Sequence, residues 1–324
     1  MPSRRALITG VNGFSGRYLV ERLRREAGWE IFGLDTQPGA NGPLDGYFCC
    51  DLTAANAVDQ AVCQARPEVV FHLAGLIGAQ SAERMWEVNV GGFTVLCDAL
   101  RRWGRQMAAT IRLLSIGSAA EIGLVEPSQL PVTEEIPCQP TGGYGRSKLE
   151  VTRRALAEPA EGPLAITVAR VFNLAGPGLS RELALGNFAR QIAQIVHGRA
   201  QSVRCGRLDA RRDYVDVRDA VEAYVGLVER GRNGQIYNVC AGRSHAMSDL
   251  LRTMIDLSGV PVEVIADISA AGAAHLPDIY GDRTKIAGEI GWAPRISIEQ
   301  SLADLLAHAV GREAGGRWTA DGGR

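Results

Sequence analysis

The chain has 324 residues, with 35 Lys+Arg against 36 Asp+Glu and a formal net charge of −1. That balance excludes the basic excess of a general nucleic-acid-binding surface. No apolar run reaches the roughly 18–20 residues of a membrane span, since the longest, residues 69–79, is short and carries His72.

The predicted elements begin at residues 6–9, a short apolar strand ending in Gly10. Met1-Pro-Ser-Arg-Arg runs into it without a small-residue cleavage site, so no signal peptide is expected. Residues 14–26 have helical spacing through Tyr18, Leu19 and Leu23, and residues 30–35 form a second strand ending in Asp35. Residues 69–74 and 111–116 are nearly continuous apolar runs, as in parallel strands buried on both faces. Helices are expected at 54–64, 81–102 and 147–157, and a further strand at 164–172. This alternation predicts an α/β fold with a doubly wound parallel sheet.

After Phe172 a turn-rich stretch leads into an expected helix at 187–197. Residues 218–229 and 235–239 read as one more helix and strand of the sheet, and 248–258, 284–290 and 298–310 as helices capping a cleft. The division is therefore 1–172 with 208–243 for a dinucleotide-binding domain, and 173–207 with 244–312 for a smaller substrate lobe. Residues 313–324, Gly-rich and polar, are expected to form a flexible tail. The seven cysteines have no C-x-x-C pair and no zinc spacing, so no metal is expected and most should be buried small hydrophobes in a reducing cytoplasm.

Three features carry chemistry. Gly10, Asn12, Gly13, Phe14, Ser15 and Gly16 join the first strand to the first helix with G-x-x-G-x-x-G spacing. Such a turn brings backbone N–H groups and a helix N-terminus to a pyrophosphate. Asp35 stands where an acid accepts ribose hydroxyls and repels a 2′-phosphate, and no Arg follows it, so NAD(H) is favoured. Asp51 can receive an adenine amino group or cap the helix from residue 54, and both readings stay open. Tyr144 and Lys148, at i and i+4, share a helix face, where an ammonium can lower a phenol's pKa. Only Lys148 and Lys285 are lysines, which reads either as a need for a compact ammonium or as two chance survivors of an arginine-rich composition. His72, inside an apolar strand, and Lys285 read as structural.

The glycine turn, Tyr144-x-x-x-Lys148 and His72-Leu-Ala-Gly75 resemble the extended short-chain dehydrogenase/reductase family of nucleotide-sugar epimerases, dehydratases and reductases. Asn89-Val-Gly-Gly, Arg170-Val-Phe-Asn173, the 212–219 stretch, residues 236–242 and residues 291–295 extend the likeness to about residue 299. Within the family it is strongest to the branch that reduces GDP-bound 4-keto-6-deoxyhexoses. The resemblance implies that Ser118, with Ser115 as runner-up, bonds the substrate oxygen, that Tyr144 exchanges its proton and that Lys148 holds the nicotinamide ribose. It further implies cofactor contacts from Leu52, Leu73, Ala74, Gly75 and Val171, and substrate contacts from Asn89, Asn173, Asn187 and Arg212. A homodimer through helices 81–102 and 147–157 is implied as well.

The departures refine this. Dehydratases carry an acid two residues after the Ser/Thr, where this chain has Ala120, with Glu121 one residue further on. A methyl group is no base. Ile122 replaces a tyrosine, and Gly272-Ala273 replace an Arg-Pro pair that contacts the diphosphate. The expectation is a nucleotide-sugar C4-ketone reductase using NAD(H), with NADP(H) as the alternative cofactor and a 4-epimerase as the alternative activity.

Overall fold

The computed structural model describes residues 4–78, 81–266 and 278–314. The departure at Gly272-Ala273 and residues 315–324 of the expected tail lie outside them.

Strand β1 (Arg4–Thr9) leads through the glycine turn into helix α1 (Phe14–Arg24), whose Leu19, Val20 and Leu23 face the core at helical spacing. Then come β2 (Trp29–Asp35), β3 (Gly46–Cys49), α2 (Ala55–Ala65) and β4 (Val69–His72). The helix expected at 81–102 is divided into α3 (Ala82–Met85), a wide π-turn (Trp86–Gly91) and α4 (Gly92–Met107). Strand β5 (Ile111–Ser118) is followed by α5 (Gly143–Leu156) and β6 (Leu164–Val171). Helix α5 starts four residues before the expected Ser147: Gly142 is its N-cap in extended backbone, so Tyr144 lies in the first turn.

The second half contains β7 (Asn173–Ala175), α6 (Ala184–Val196), β8 (Ser202–Cys205), β9 (Arg211–Asp216), α7 (Val217–Arg230) and β10 (Ile236–Val239). It closes with β11 (Ser244–Ala246), α8 (Met247–Ser258), β12 (Glu263–Ala266), α9 (Thr284–Ile290) and α10 (Ile298–Ala314). Glu313, expected in a loose tail, is the penultimate residue of α10, and its carboxylate holds Arg199 at 2.6 Å.

Seven parallel strands form one sheet in the order β10-β6-β5-β4-β1-β2-β3. The order reverses between β1 and β4, and the crevice at their carboxyl ends is where a doubly wound sheet takes its ligand. Both faces are covered. One core holds Leu19, Leu23, Tyr224 and Leu227 against the sheet, and the other holds Val58, Phe93, Leu96 and Val151. Strand β9 pairs with β7 and β11 in a separate three-stranded sheet, and α7 follows it from Val217. A third core, around Leu185, Phe188, Leu251 and Leu302, belongs to the smaller lobe.

All seven cysteines are free, yet only Cys97, Cys205 and Cys240 are buried. The expectation that most would be buried is not met, because Cys49 and Cys63 fall on the outward faces of β3 and α2. No helix among the described residues is long and apolar enough to cross a membrane, and no acid, His or Cys cluster among them suits a metal.

Candidate functional site

The glycine turn sits at the switch point. Gly10 has φ +69°, and a Cβ there would lie 2.8 Å from the Ala74 Cα, so only glycine lets the turn meet the loop after β4. Gly13 is the N-cap of α1, and a Cβ on Gly16 would lie 2.4 Å from the Val11 carbonyl. Ser15 lies in the helix's first turn, which carries no acid. The Phe14 ring stacks edge-to-face on Tyr18 and packs against the lobe's core. Its part toward a cofactor is therefore limited to backbone.

The Asn12 N–H donates to Asp35 Oδ2 at 3.0 Å, and the Gln37 N–H donates to Oδ1 at 3.2 Å. Each oxygen keeps a lone pair for a ribose hydroxyl. The Asn12 side chain is spent on the neighbouring loop, donating to the Gly39 carbonyl at 2.9 Å and accepting from the Asn41 N–H at 2.9 Å. Asp51 accepts from the N–H and the hydroxyl of Thr53 and from Arg84. Burial alone would raise its pKa, but these donors hold it below the usual carboxylate range. Asp51 therefore shapes the turn before α2, while Ala54 is the N-cap of that helix. Leu52 is buried against Gly92.

The loop after β4 joins the cofactor side to the reactive side. Leu73 and Ala74 donate their N–H groups to Thr9. A Cβ on Gly75 would lie 3.3 Å from Lys148 Nζ and 3.2 Å from Asn89 Oδ1. Asn89, expected at the substrate, is instead buried in the π-turn. It accepts from the Leu76 N–H at 2.7 Å and donates to the Leu76 carbonyl and to Ser147 Oγ. Its polar atoms are committed to holding that loop, because the π-turn aims its side chain inward.

Ser118 ends β5, beside Val171 on β6. Its hydroxyl accepts from the Ala120 N–H at 3.2 Å and acts to lower the pKa of the Tyr144 phenol. Burial pushes the phenol up to about 12, Ser118 opposes this, and Glu121 adds to it. The lowering expected from Lys148 does not occur, and the phenol moves the other way. Lys148 is 5% exposed and donates to the Ile116 carbonyl at 2.9 Å. Burial pushes its ammonium down to about 8, with Glu121 opposing. Ser115, the runner-up, is fully buried within the sheet, between His72 of β4 and Val168 of β6. His72 bonds Thr9 Oγ1 at 2.8 Å, and burial followed by Lys148 depresses it to about 3, so it stays neutral.

On the lobe side, Asn173 donates to the Asp213 carbonyl at 3.0 Å. Next to Asp213 is Arg212, a half-buried guanidinium whose pKa burial lowers. Asn187 lies on α6 with Arg190 bonded to its Oδ1 at 3.0 Å.

Sequence reasoning missed two buried charges, Glu121 and Arg170. The signal was a lone arginine inside the apolar run Val168-Ala-Arg-Val171, which requires a buried partner.

A doubly wound sheet with a glycine turn at its switch point and a Ser–Tyr–Lys set along the same edge is the architecture of a dinucleotide-dependent enzyme. The chain belongs to the NAD dependent epimerase/dehydratase family, whose profile matches residues 6–240. It is 29% identical to GDP-6-deoxy-D-mannose reductase of Pseudomonas aeruginosa, over 94% of this chain and 97% of that one. It is 25% identical to UDP-glucose 4-epimerase of Bacillus subtilis, over 92% and 94%. Among solved structures, RMD from Pseudomonas aeruginosa in complex with NADPH superposes with a TM-score of 0.83 at 27% identity, covering 95% of this chain and 99% of that one.

Proposed function

We propose that this enzyme reduces the C4 ketone of a GDP-4-keto-6-deoxyhexose, giving GDP-rhamnose or its talose epimer. A bound nicotinamide supplies the hydride. The Tyr144 hydroxyl donates its proton to the C4 oxygen while the Ser118 hydroxyl stabilises the developing charge. Lys148 holds the nicotinamide ribose and Arg212 the diphosphate, for which a guanidinium fork is suited. The Gly10–Gly16 turn and Asp35 fit NAD(H), with NADP(H) the alternative.

One observation carries the choice of reduction over dehydration. Ala120 presents a methyl where a C5 base would stand, and Glu121 is 0% exposed with its carboxylate turned inward. Likeness to the mannose reductase supports the GDP-sugar. We further propose a homodimer through α3, the π-turn, α4 and α5, where Trp86 of the π-turn, at 46% exposure, and Leu156 of α5, at 39%, are large apolar groups in water. Seven free cysteines fit a reducing cytoplasm.

The test is to mix the protein with GDP-4-keto-6-deoxy-D-mannose and NADH, with NADPH in parallel, and to follow nicotinamide absorbance. Stoichiometric oxidation is expected, faster with NADH. Folded protein that oxidises neither cofactor sinks the reading and moves the weight to the 4-epimerase. Copurified NAD+ would mark that alternative.

A further inference from the structure

The proposed reaction leaves a buried carboxylate without a task. A carboxylate taken out of water costs several kcal/mol unless it is paired and hydrogen-bonded. Glu121 has three partners. The Ser118 N–H donates to Oε1 at 2.7 Å, the Thr152 hydroxyl donates to Oε2 at 3.0 Å, and Arg170 Nε lies 3.5 Å from Oε2. Arg170 is only 2% exposed and also donates to the Glu134 carbonyl at 3.2 Å. The strand register creates this pocket by placing Gly117 beside Arg170 and Ser118 beside Val171. A Cβ on Gly117 would lie 2.6 Å from Glu121 Oε1, so the strand gives up a side chain there to admit the carboxylate.

We propose that Glu121 is a positioning residue for the Ser118–Tyr144–Lys148 set: anchored by Arg170 and Thr152, its carboxylate fixes the Ser118 backbone and lies within electrostatic reach of the Lys148 ammonium. Its role in turnover rests on the function proposed above. The geometry makes the link. The carboxylate grips the N–H of Ser118, whose hydroxyl the proposed function sets beside the Tyr144 phenol, and Thr152 stands one helical turn beyond Lys148 on the same face of α5. The charged and titratable groups facing Glu121 are Arg170 from β6, Lys148 and Tyr144 from α5 and Cys138 from the loop before α5. Lys148 in turn faces Glu121 and, from β4, His72. Removing the Glu121 charge therefore lowers the pKa of both Tyr144 and Lys148, two of the groups it raises.

The experiment uses the full chain with Glu121→Gln, which keeps an oxygen for the Ser118 N–H but removes the charge. Lys148 and Lys285 are the only lysines, so isotope-labelled lysine gives two NMR titrations, which Lys285→Arg assigns. The Lys148 midpoint, about 8 in the unaltered chain, is expected to move to lower pH. Turnover is expected to fall about tenfold with little change in KM, the mark of an interaction made in the transition state. The basic limb of the kcat profile should move acidic with it. A folded Glu121→Gln variant with unchanged Lys148 titration and unchanged kcat overturns the proposal. If that variant does not fold, Gly117→Ala displaces the carboxylate sterically; the same kcat loss is expected, and an unaltered kcat overturns the proposal. The lysine titration needs no substrate. A chain that turns over no nucleotide sugar would remove the proposed function while leaving the Glu121 charge testable.

Discussion

Lys148 pairs a large desolvation with a single strong donor contact, to the Ile116 carbonyl at 2.9 Å. Its ammonium titrates near 8 when folded, against 10.5 for a lysine in water. Between those values the unfolded chain holds more protons, so unfolding free energy rises with pH, while below about 8 the cost of burying the cation is fully present. The stability of the unaltered chain should therefore gain on that of Lys148→Met as pH rises from about 8 to about 10. Melting curves of the pair across that range check this, and a constant gap would contradict it. Tyr144→Phe removes the proton donor without disturbing the Ser118 backbone. Its kcat should fall by about 10²–10⁴, with NADH affinity retained. Asp35→Ser should raise the NADPH-to-NADH preference at least about tenfold, since it removes the charge that repels a 2′-phosphate. Cofactor competition by fluorescence reads that ratio, and an unchanged ratio would show that Asp35 does not select.

Each element's legibility in the sequence depended on how local its cause is. The glycine turn and the Tyr144–Lys148 pair could be read directly, because a turn and an i,i+4 face are set within a few residues. Gly10 shows how strictly. Its φ of +69° and the 2.8 Å approach to Ala74 leave no room for a side chain. Gly10→Ala should cost about 1–3 kcal/mol from backbone strain alone and weaken NADH binding, both measurable on one sample by melting and titration. A variant with unaltered affinity would separate the turn from the cofactor. The start of α5 was read four residues late, because Gly142 caps through backbone shape and carries no side chain of a capping type. The π-turn that carries Asn89 inward was not legible, since its reason is a hydrogen bond to Leu76 across the chain. Glu121 was seen only as a displaced acid. Its burial follows from the pairing of β5 with β6, which brings Arg170 to it.

At the scale of the molecule, the large sheet and the smaller lobe meet through β9. Alternation along this strand turns neighbouring side chains to opposite faces, so Arg212 and Asp213 have different tasks. Asp213 is 0% exposed, and its carboxylate accepts the N–H groups of Ala241 at 2.8 Å, Gly242 at 2.9 Å and Gly281 at 3.2 Å. Burial raises its pKa to about 6, and those N–H groups oppose the rise. Between about 4 and about 6 the folded state thus holds the extra proton, and this group's contribution to stability falls as pH rises. The carboxylate fastens the loop after β10 and the residue before Asp282 to the strand that carries Arg212. Asp213→Asn would aim an amide N–H at backbone donors and should cost about 1–3 kcal/mol. On the proposed function, in which Arg212 meets the sugar nucleotide and the turn after β1 with Asp35 of β2 meets the cofactor, KM for the sugar nucleotide should rise while NADH affinity stays constant. Melting, NADH titration and sugar kinetics on this variant separate the two. A stability loss with KM unchanged would make Asp213 a fastening of the fold alone, and a shift in both affinities would show that the lobe and the cofactor crevice move as one body.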